Sequence, residues 1–418
     1  MFQTSFSSQP TTAMAAPDLV SRRTIIVMAL VCLVAGLKTV FDLYLKSAGL
    51  VEYVMTDIDT FWLVGWLYWD GRLADAYSAA TLFAAQNEVL QTESFMPYTY
   101  PPQYNFVTAA LGAVPAWLAY AVFVPATFAL YLKAIQQISA RHLAFVFVMI
   151  FPALLVNIRS GQNGFLVAGI VALAAQGILG TGLNAGLRGG VALGLAAVKP
   201  HVAIGIGAAA LLTGRWGVAA LAMATCAATL GAAALVFGTD LFTLILAASQ
   251  EALGFLRAGN YPLHRMVSVY AFARTFGASA DMAMMVQVAA GVAIVGSVVL
   301  LALRRSDKTV IVAAAMIAPL FMSPYVYDYD MTLAGVALAL VAPRLLAQGR
   351  SWEMMALLAI AWVATGWGIA MSFLTEQDGV RTTAENLTFY PSIQAPLNLV
   401  LVLVIAHVLR RSFREVRP

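Results

Sequence analysis

The chain has 418 residues, of which 61% are hydrophobic and 11% charged, with a mean hydropathy of +0.83. A soluble domain carries roughly 25% charged residues, so an ordinary water-soluble globule is excluded. The net charge of +4 and pI near 9.0 come from basic residues scattered in short loops, a pattern that marks the cytoplasmic side of a membrane protein and not a nucleic-acid partner.

Residues 1–21 are polar and Ser/Thr-rich and predict a disordered cytoplasmic tail. Arg22 and Arg23 then precede an apolar run to Tyr44. That run is too long for a signal peptide and no small-x-small cleavage site follows, so it reads as an uncleaved first helix with a cytoplasmic N-terminus. Membrane-length runs recur as far as His407, with room for about 12 crossings of about 20 residues each. The prediction is an all-α polytopic membrane protein of the inner or plasma membrane, one domain over 22–409 with a cytoplasmic basic tail at 410–418. Cys32 and Cys226 lie in apolar runs and read as core residues. No His/Cys cluster has metal spacing, so neither metal nor cofactor is expected.

The longest polar interval is 46–100, too long for a simple connector and of the length that is usually functional. A helix over 60–70 places Trp62, Trp66 and Trp69 on one face, which predicts an interfacial helix at headgroup level. A second helix over 79–92 follows Ser78 as N-cap. Tyr100-Pro101-Pro102 forbids helix and gives a rigid approach to the next span. The stretch 104–140 fits one long kinked crossing or two short ones around Pro115. Spans follow at 143–157 and 165–180, then an apolar stretch over 189–213 broken by Lys199-Pro200-His201, then a span at 217–237. A second polar interval, 238–265, precedes spans at about 283–303, 309–322, 331–342, 353–373 and 392–409.

Arg188, Arg215, Arg304/Arg305/Lys308, Arg344/Arg350 and Arg410/Arg411/Arg414 fall in alternate loops, which the positive-inside rule places in the cytoplasm. The loops 46–100, 159–164, 199–201, 238–265, 323–330 and 374–391 then share the extracytoplasmic side. Every unusual polar cluster is in that second set. The assignment needs Lys199-Pro200 at the tip of a hairpin of two short helices and an odd number of crossings between 103 and 142. Both termini are then cytoplasmic.

Asp57 and Asp59 lead the candidates for chemistry. Either can cap the helix that follows, and a partly desolvated carboxylate at a bilayer surface can also act as general base on a hydroxyl. Lys199 interrupts an apolar run, and an intramembrane cation is a functional candidate by default. Arg159, before the Gly161-Gln162-Asn163-Gly164 loop, fits an anion cradle. His264 and Arg265 add positive charge. Tyr327, Asp328 and Asp330 lie in a run of three tyrosines and two aspartates, where an aspartate can bind a sugar hydroxyl or pair with Lys199 or Arg159. Carboxylates for a hydroxyl, cations for a phosphate and aromatic rings for a sugar fit glycosyl transfer from a lipid-linked phosphosugar. The phosphate leaving group is already acidic and needs cationic stabilisation more than a proton.

In order along 50–340, the chain carries Asp57 five residues before Trp62, then Gly71, Ala76-Tyr77, Tyr100-Pro101-Pro102, Gly161-Gln162-Asn163, Lys199-Pro200, and Ser323-Pro324 through Tyr329-Asp330. This ordered set resembles glycosyltransferase family 87, the polyprenyl-phosphate-mannose-dependent mannosyltransferase-like proteins of the GT-C superfamily. The resemblance implies a GT-C fold with its catalytic Asp in the first large extracytoplasmic loop, by position Asp57. It also implies metal-independent, inverting transfer of a mannose-like hexose from a polyprenyl-phosphate sugar to a glycan or glycolipid of the cell envelope. Lys199, Arg159, Arg265, His264 and His201 are then candidates for the donor phosphate, and Gln162, Asn163, Tyr100, Tyr327, Asp328 and Asp330 for the sugar and acceptor. Asp59 stands where the family more often has an apolar residue, and His201 where it commonly has an amide; the base is Asp57 or Asp59. Membrane lipids are the remaining partner. A secondary transporter with broken helices and a catalytically inactive membrane relative are the alternatives.

Overall fold

The computed structural model describes residues 21–51, 54–377 and 390–415. The tail at 1–20, most of the 374–391 loop and the last three residues lie outside them. The described residues are helical with no strand; one antiparallel bridge joins Met266 and Tyr327. Eight helices among them are long and apolar enough to cross a membrane, and four shorter apolar helices accompany them.

The first helix, α1 (Arg22–Ser47), is capped by Ser21, whose hydroxyl accepts from the Thr24 N–H. α2 (Asp57–Trp69) starts three residues earlier than the sequence pattern suggests. Thr56 is its N-cap, and the Asp59 carboxylate reaches back to the Thr56 N–H at 2.7 Å, a capping box that starts the helix there. α3 (Ala79–Leu90) follows. The ambiguous 104–140 stretch resolves into a short α4 (Asn105–Gly112) and a long α5 (Ala116–Ser139).

α2 is not an isolated helix. It packs on α4 through Gly65 and Gly112, where a Cβ on either would land on the other helix's backbone. The tryptophan stripe faces the same way. Trp69 Nε1 donates to the Ala109 carbonyl at 2.8 Å and Trp62 Nε1 to the Val114 carbonyl at 2.7 Å. Carbonyls at a helix C-terminus lack intrahelical partners, so the end of α4 leaves acceptors open to the indoles.

α6 (Leu143–Met149) and α7 (Phe151–Ser160) run on from α5. α8 (Gly164–Leu179), α9 (Leu183–Leu195) and α10 (Pro200–Leu212) come next, with Lys199 at the tip between the last two, as the hairpin reading requires. α11 (Trp216–Phe237), α12 (Leu241–Ala258) and α13 (Val269–Thr275) precede α14 (Ala280–Leu303). α15 (Lys308–Met322), α16 (Thr332–Gln348), α17 (Ser351–Gln377) and α18 (Gln394–Glu415) complete the bundle. α8 and α16 are buried nearly all round, whereas α1, α11 and α14 expose Leu33, Leu235 and Val292 outward, as lipid-facing helices do.

The bundle has two chemically distinct ends. At one, Arg215 donates to the Gly177 and Gly180 carbonyls, Arg344 pairs with Asp307 at 2.8 Å, and Arg411 pairs with Glu353. At the other lie the α7–α8 junction, the α9–α10 tip and the start of α16. α12 belongs to that second end although its composition would let it span. The Phe237 ring before it packs on Tyr68 and Phe106, the Ala79 N–H donates to its Glu251, and Tyr270 beyond it bonds the Leu256 carbonyl. Both flanks are therefore at the same end.

Candidate active site

Asp57 is the first helical residue of α2, and its neighbour Asp59 takes a different role. Asp59 is fully buried and its Oδ2 accepts from the Thr56 N–H, from Thr56 Oγ1 at 2.9 Å and from Lys46 Nζ at 3.5 Å. Two residues earlier, one hundred degrees per residue of helix turns Asp57 away from that box. Its Oδ1 accepts from Gln162 Nε2 at 2.8 Å, while Oδ2, also buried, has no hydrogen-bond partner. Burial pushes the Asp57 carboxyl above its ordinary 3.8; Arg265 and Lys199 pull it down and Asp328 pushes it further up.

Gln162 is brought to Asp57 by the end of α7. Gly161, at φ +64°, closes that helix in the left-handed conformation open to glycine, and a Cβ there would strike Ile58 of α2. The Gln162 amide is oriented from both sides: Oε1 accepts from Tyr100 Oη at 3.1 Å and from the Asn163 N–H at 2.7 Å. Tyr100 stacks on Tyr104 with centroids 4.5 Å apart, and Phe61 of α2 stands edge-on to both rings at 5.3 Å. An aromatic wall thus lines the approach to the carboxylate.

Opposite stands a turn at Asp328–Met331, tied to α7 by Asn157 Nδ2 donating to the Tyr329 carbonyl at 2.9 Å and to α8 by Thr332 Oγ1 donating to the Gly164 carbonyl at 3.2 Å. Lys199 reaches it from the α9–α10 tip and pairs with Asp330 at 2.6 Å. Arg265 reaches it from the 238–265 interval and grips Asp328 through Nε at 3.2 Å and Nη2 at 3.1 Å. The Tyr327 and Tyr329 rings stack at 5.3 Å, and each carries a cation: Lys199 lies over Tyr329 at 4.8 Å, Arg265 over Tyr327 at 5.9 Å. Gly368 of α17 lets this turn approach, since a Cβ there would collide with Asp328 Oδ2.

Asp57, Gln162, Tyr100, Lys199, Arg265, Tyr327, Asp328 and Asp330 are therefore one cluster, with Asn163 buried at its edge. Three candidates stand apart in character. The Arg159 guanidinium lies over the Phe373 ring of α17 at 4.4 Å. His264 is buried, and burial together with the Arg265 charge lowers its pKa to about 4, so at neutral pH it contributes no positive charge. His201 follows Lys199 on α10, half-buried, with Nε2 lacking a hydrogen-bond partner. The sequence pattern gave no role to Tyr104 or Asn157, and it held Tyr329 only as part of a motif, with no role. Tyr104 is a ring platform found only by its stacking, and Asn157 sits in an apolar helical pattern whose one polar break was the available signal.

A many-helix membrane protein with three carboxylates and two cations gathered at one end of its bundle is the class these features define. The chain belongs to glycosyltransferase family 87, whose family model it matches over residues 98–324, more than half its length. The matched stretch carries Tyr100, Gln162, Asn163, Lys199, His201, His264 and Arg265; Asp57, Tyr327, Asp328 and Asp330 lie beyond it and join the cluster through their contacts. No curated protein and no solved structure matches the chain.

Proposed function

We propose that this glycosyltransferase moves a hexose from a polyprenyl-phosphate donor to the hydroxyl of an extracytoplasmic glycan or glycolipid, with inversion at the anomeric carbon. The observation that carries this reading is the divided Asp57 carboxylate: one oxygen is held by Gln162 and the other is buried with no partner. That second oxygen takes the acceptor proton as the acceptor oxygen attacks the anomeric carbon. The bond from that carbon to the phosphate oxygen breaks with its electron pair, and polyprenyl phosphate leaves. Arg265 and Lys199, each ion-paired to a carboxylate of the 328–331 turn, turn toward the phosphate as its charge grows. Tyr100 and Tyr327, the half-buried rings of the two stacks, border the sugar. The arginines at the opposite end, Arg215, Arg344 and Arg411, support an extracytoplasmic position for this end.

The test is transfer by the purified protein in proteoliposomes supplied with a panel of polyprenyl-phosphate sugars. One donor should support transfer, and Asp57→Asn should lower the rate by about 10²–10⁴-fold with an unchanged melting temperature. Full activity of that variant, or a loss confined to Asp59→Asn, would overturn the assignment.

A further inference from the structure

A second feature lies toward the other end of the bundle, away from the acid–cation cluster. α14, α15, α16 and α18 line an apolar cleft of about 270 Å³. That is near the lower end of ordinary ligand pockets, about 300–1,000 Å³, and far above the water-sized voids that packed interiors leave. The cleft follows α18 from Asn398 to Arg410 and α15 from Leu320 to Val310. The twelve helical steps from Asn398 to Arg410 correspond to about 18 Å of helix. One leaflet offers about 15 Å, half of a hydrocarbon core of about 30 Å. Ile294, Leu401 and Ile405 on its walls are only half-buried.

The two ends of the cleft differ. Toward the acid–cation cluster it is closed by Val267, Leu320, Phe321, Val326 and Met331, which pack together as a buried group. The Val267 N–H donates to the Val326 carbonyl at 2.9 Å, and Asn398 Nδ2 meets Met331 Sδ at 3.5 Å, so the apolar path ends there. The far end is lined by Ser306 and Arg410. Arg410 is exposed, as are Arg304, Arg305 and Lys308 in the connection that holds Ser306. A leaflet-deep apolar channel with a cationic rim matches a lipid that carries an anion at its head. A donor anchored at the acid–cation cluster would have to pass its chain through the packed group.

We propose that this cleft binds one anionic glycerophospholipid from the leaflet opposite the acid–cation cluster, its phosphate at Arg410 and Ser306 and an acyl chain along α18 as far as Asn398. The test uses purified full-length protein in detergent, titrated with phosphatidylglycerol, phosphatidylcholine of the same chains, or polyprenyl phosphate, with melting temperature as the readout. Phosphatidylglycerol should raise it saturably and phosphatidylcholine should not. Arg410→Gln should weaken phosphatidylglycerol about fivefold, the share of one basic side chain near an anionic surface. Ala406→Phe, which fills the cleft, should remove the shift. Equal shifts with both phospholipids, unaltered affinity in Arg410→Gln, a shift that survives Ala406→Phe, or polyprenyl phosphate as the stabilising lipid would each overturn the proposal. No sugar donor enters the experiment, so its outcome is independent of the transfer reaction.

Discussion

Asp57 and Asp59 share a helical turn and have opposite environments. Asp59 is saturated by Thr56 and Lys46, whereas Asp57 keeps one buried oxygen without a partner. An N3 carboxylate after threonine is a capping-box pattern, so Asp59's role was readable in the sequence; the loose end of Asp57 was not, because Gln162 is 105 positions away. A base works only when ionised, and burial holds Asp57 above 3.8. Transfer should therefore fall, as pH drops, through a midpoint above that value, and a profile of kcat/KM against pH with its acid limb at or below it would count against Asp57. The Lys199–Asp330 pair is nearly dry, with side chains 7% and 4% exposed. Removing one partner of such a pair strands the other charge at a cost of about 3–5 kcal/mol. Lys199→Met should thus lower the melting temperature sharply. Adding Asp330→Asn should recover much of it, since the amide oxygen can still accept from the Tyr327 N–H that Asp330 now holds at 3.2 Å. A double variant no more stable than the single one would mean that the loss does not come from a stranded Asp330 charge.

At the scale of elements, the α2–α4 pair positions the acid. Gly65 and Gly112 let the two backbones touch, and the Trp62 and Trp69 bonds to α4 and its exit fix the pair in rotation. Gly112→Ala places a methyl group against the Gly65–Trp66 backbone. Neither helix can yield there without separating, so the cost should be about 1–3 kcal/mol. Melting temperature and turnover should drop together, because Asp57 moves with α2. A variant that melts earlier yet turns over normally would separate the packing from the chemistry. The helical period of the tryptophans was legible, but their orientation toward α4 was not: the acceptors are carbonyls at the end of another helix, and backbone groups leave no mark on a side-chain pattern.

Across the whole molecule, basic residues collect at one end and the acid–cation cluster at the other. Single cysteines in the α9–α10 tip and in the α8–α9 loop should react with a membrane-impermeant thiol reagent from outside and inside the cell respectively, in a background lacking Cys32 and Cys226. Reaction of both from the same side would invalidate the topology. The sequence by itself determined the helical class, most of the long apolar helices, the broken hairpin at Lys199-Pro200 and the grouping of polar loops, because each depends on hydropathy or charge within about 20 residues, the span of one membrane helix. It also kept 238–265, the α12 region, at one end. It did not determine that α2 turns its tryptophans onto α4, or that His264 is neutral. Nor did it decide which cation faces which carboxylate: Arg265 with Asp328 and Lys199 with Asp330, 63 and 131 positions apart. Those outcomes rest on desolvation and on contacts between distant helices, and both quantities come into being only when the helices pack.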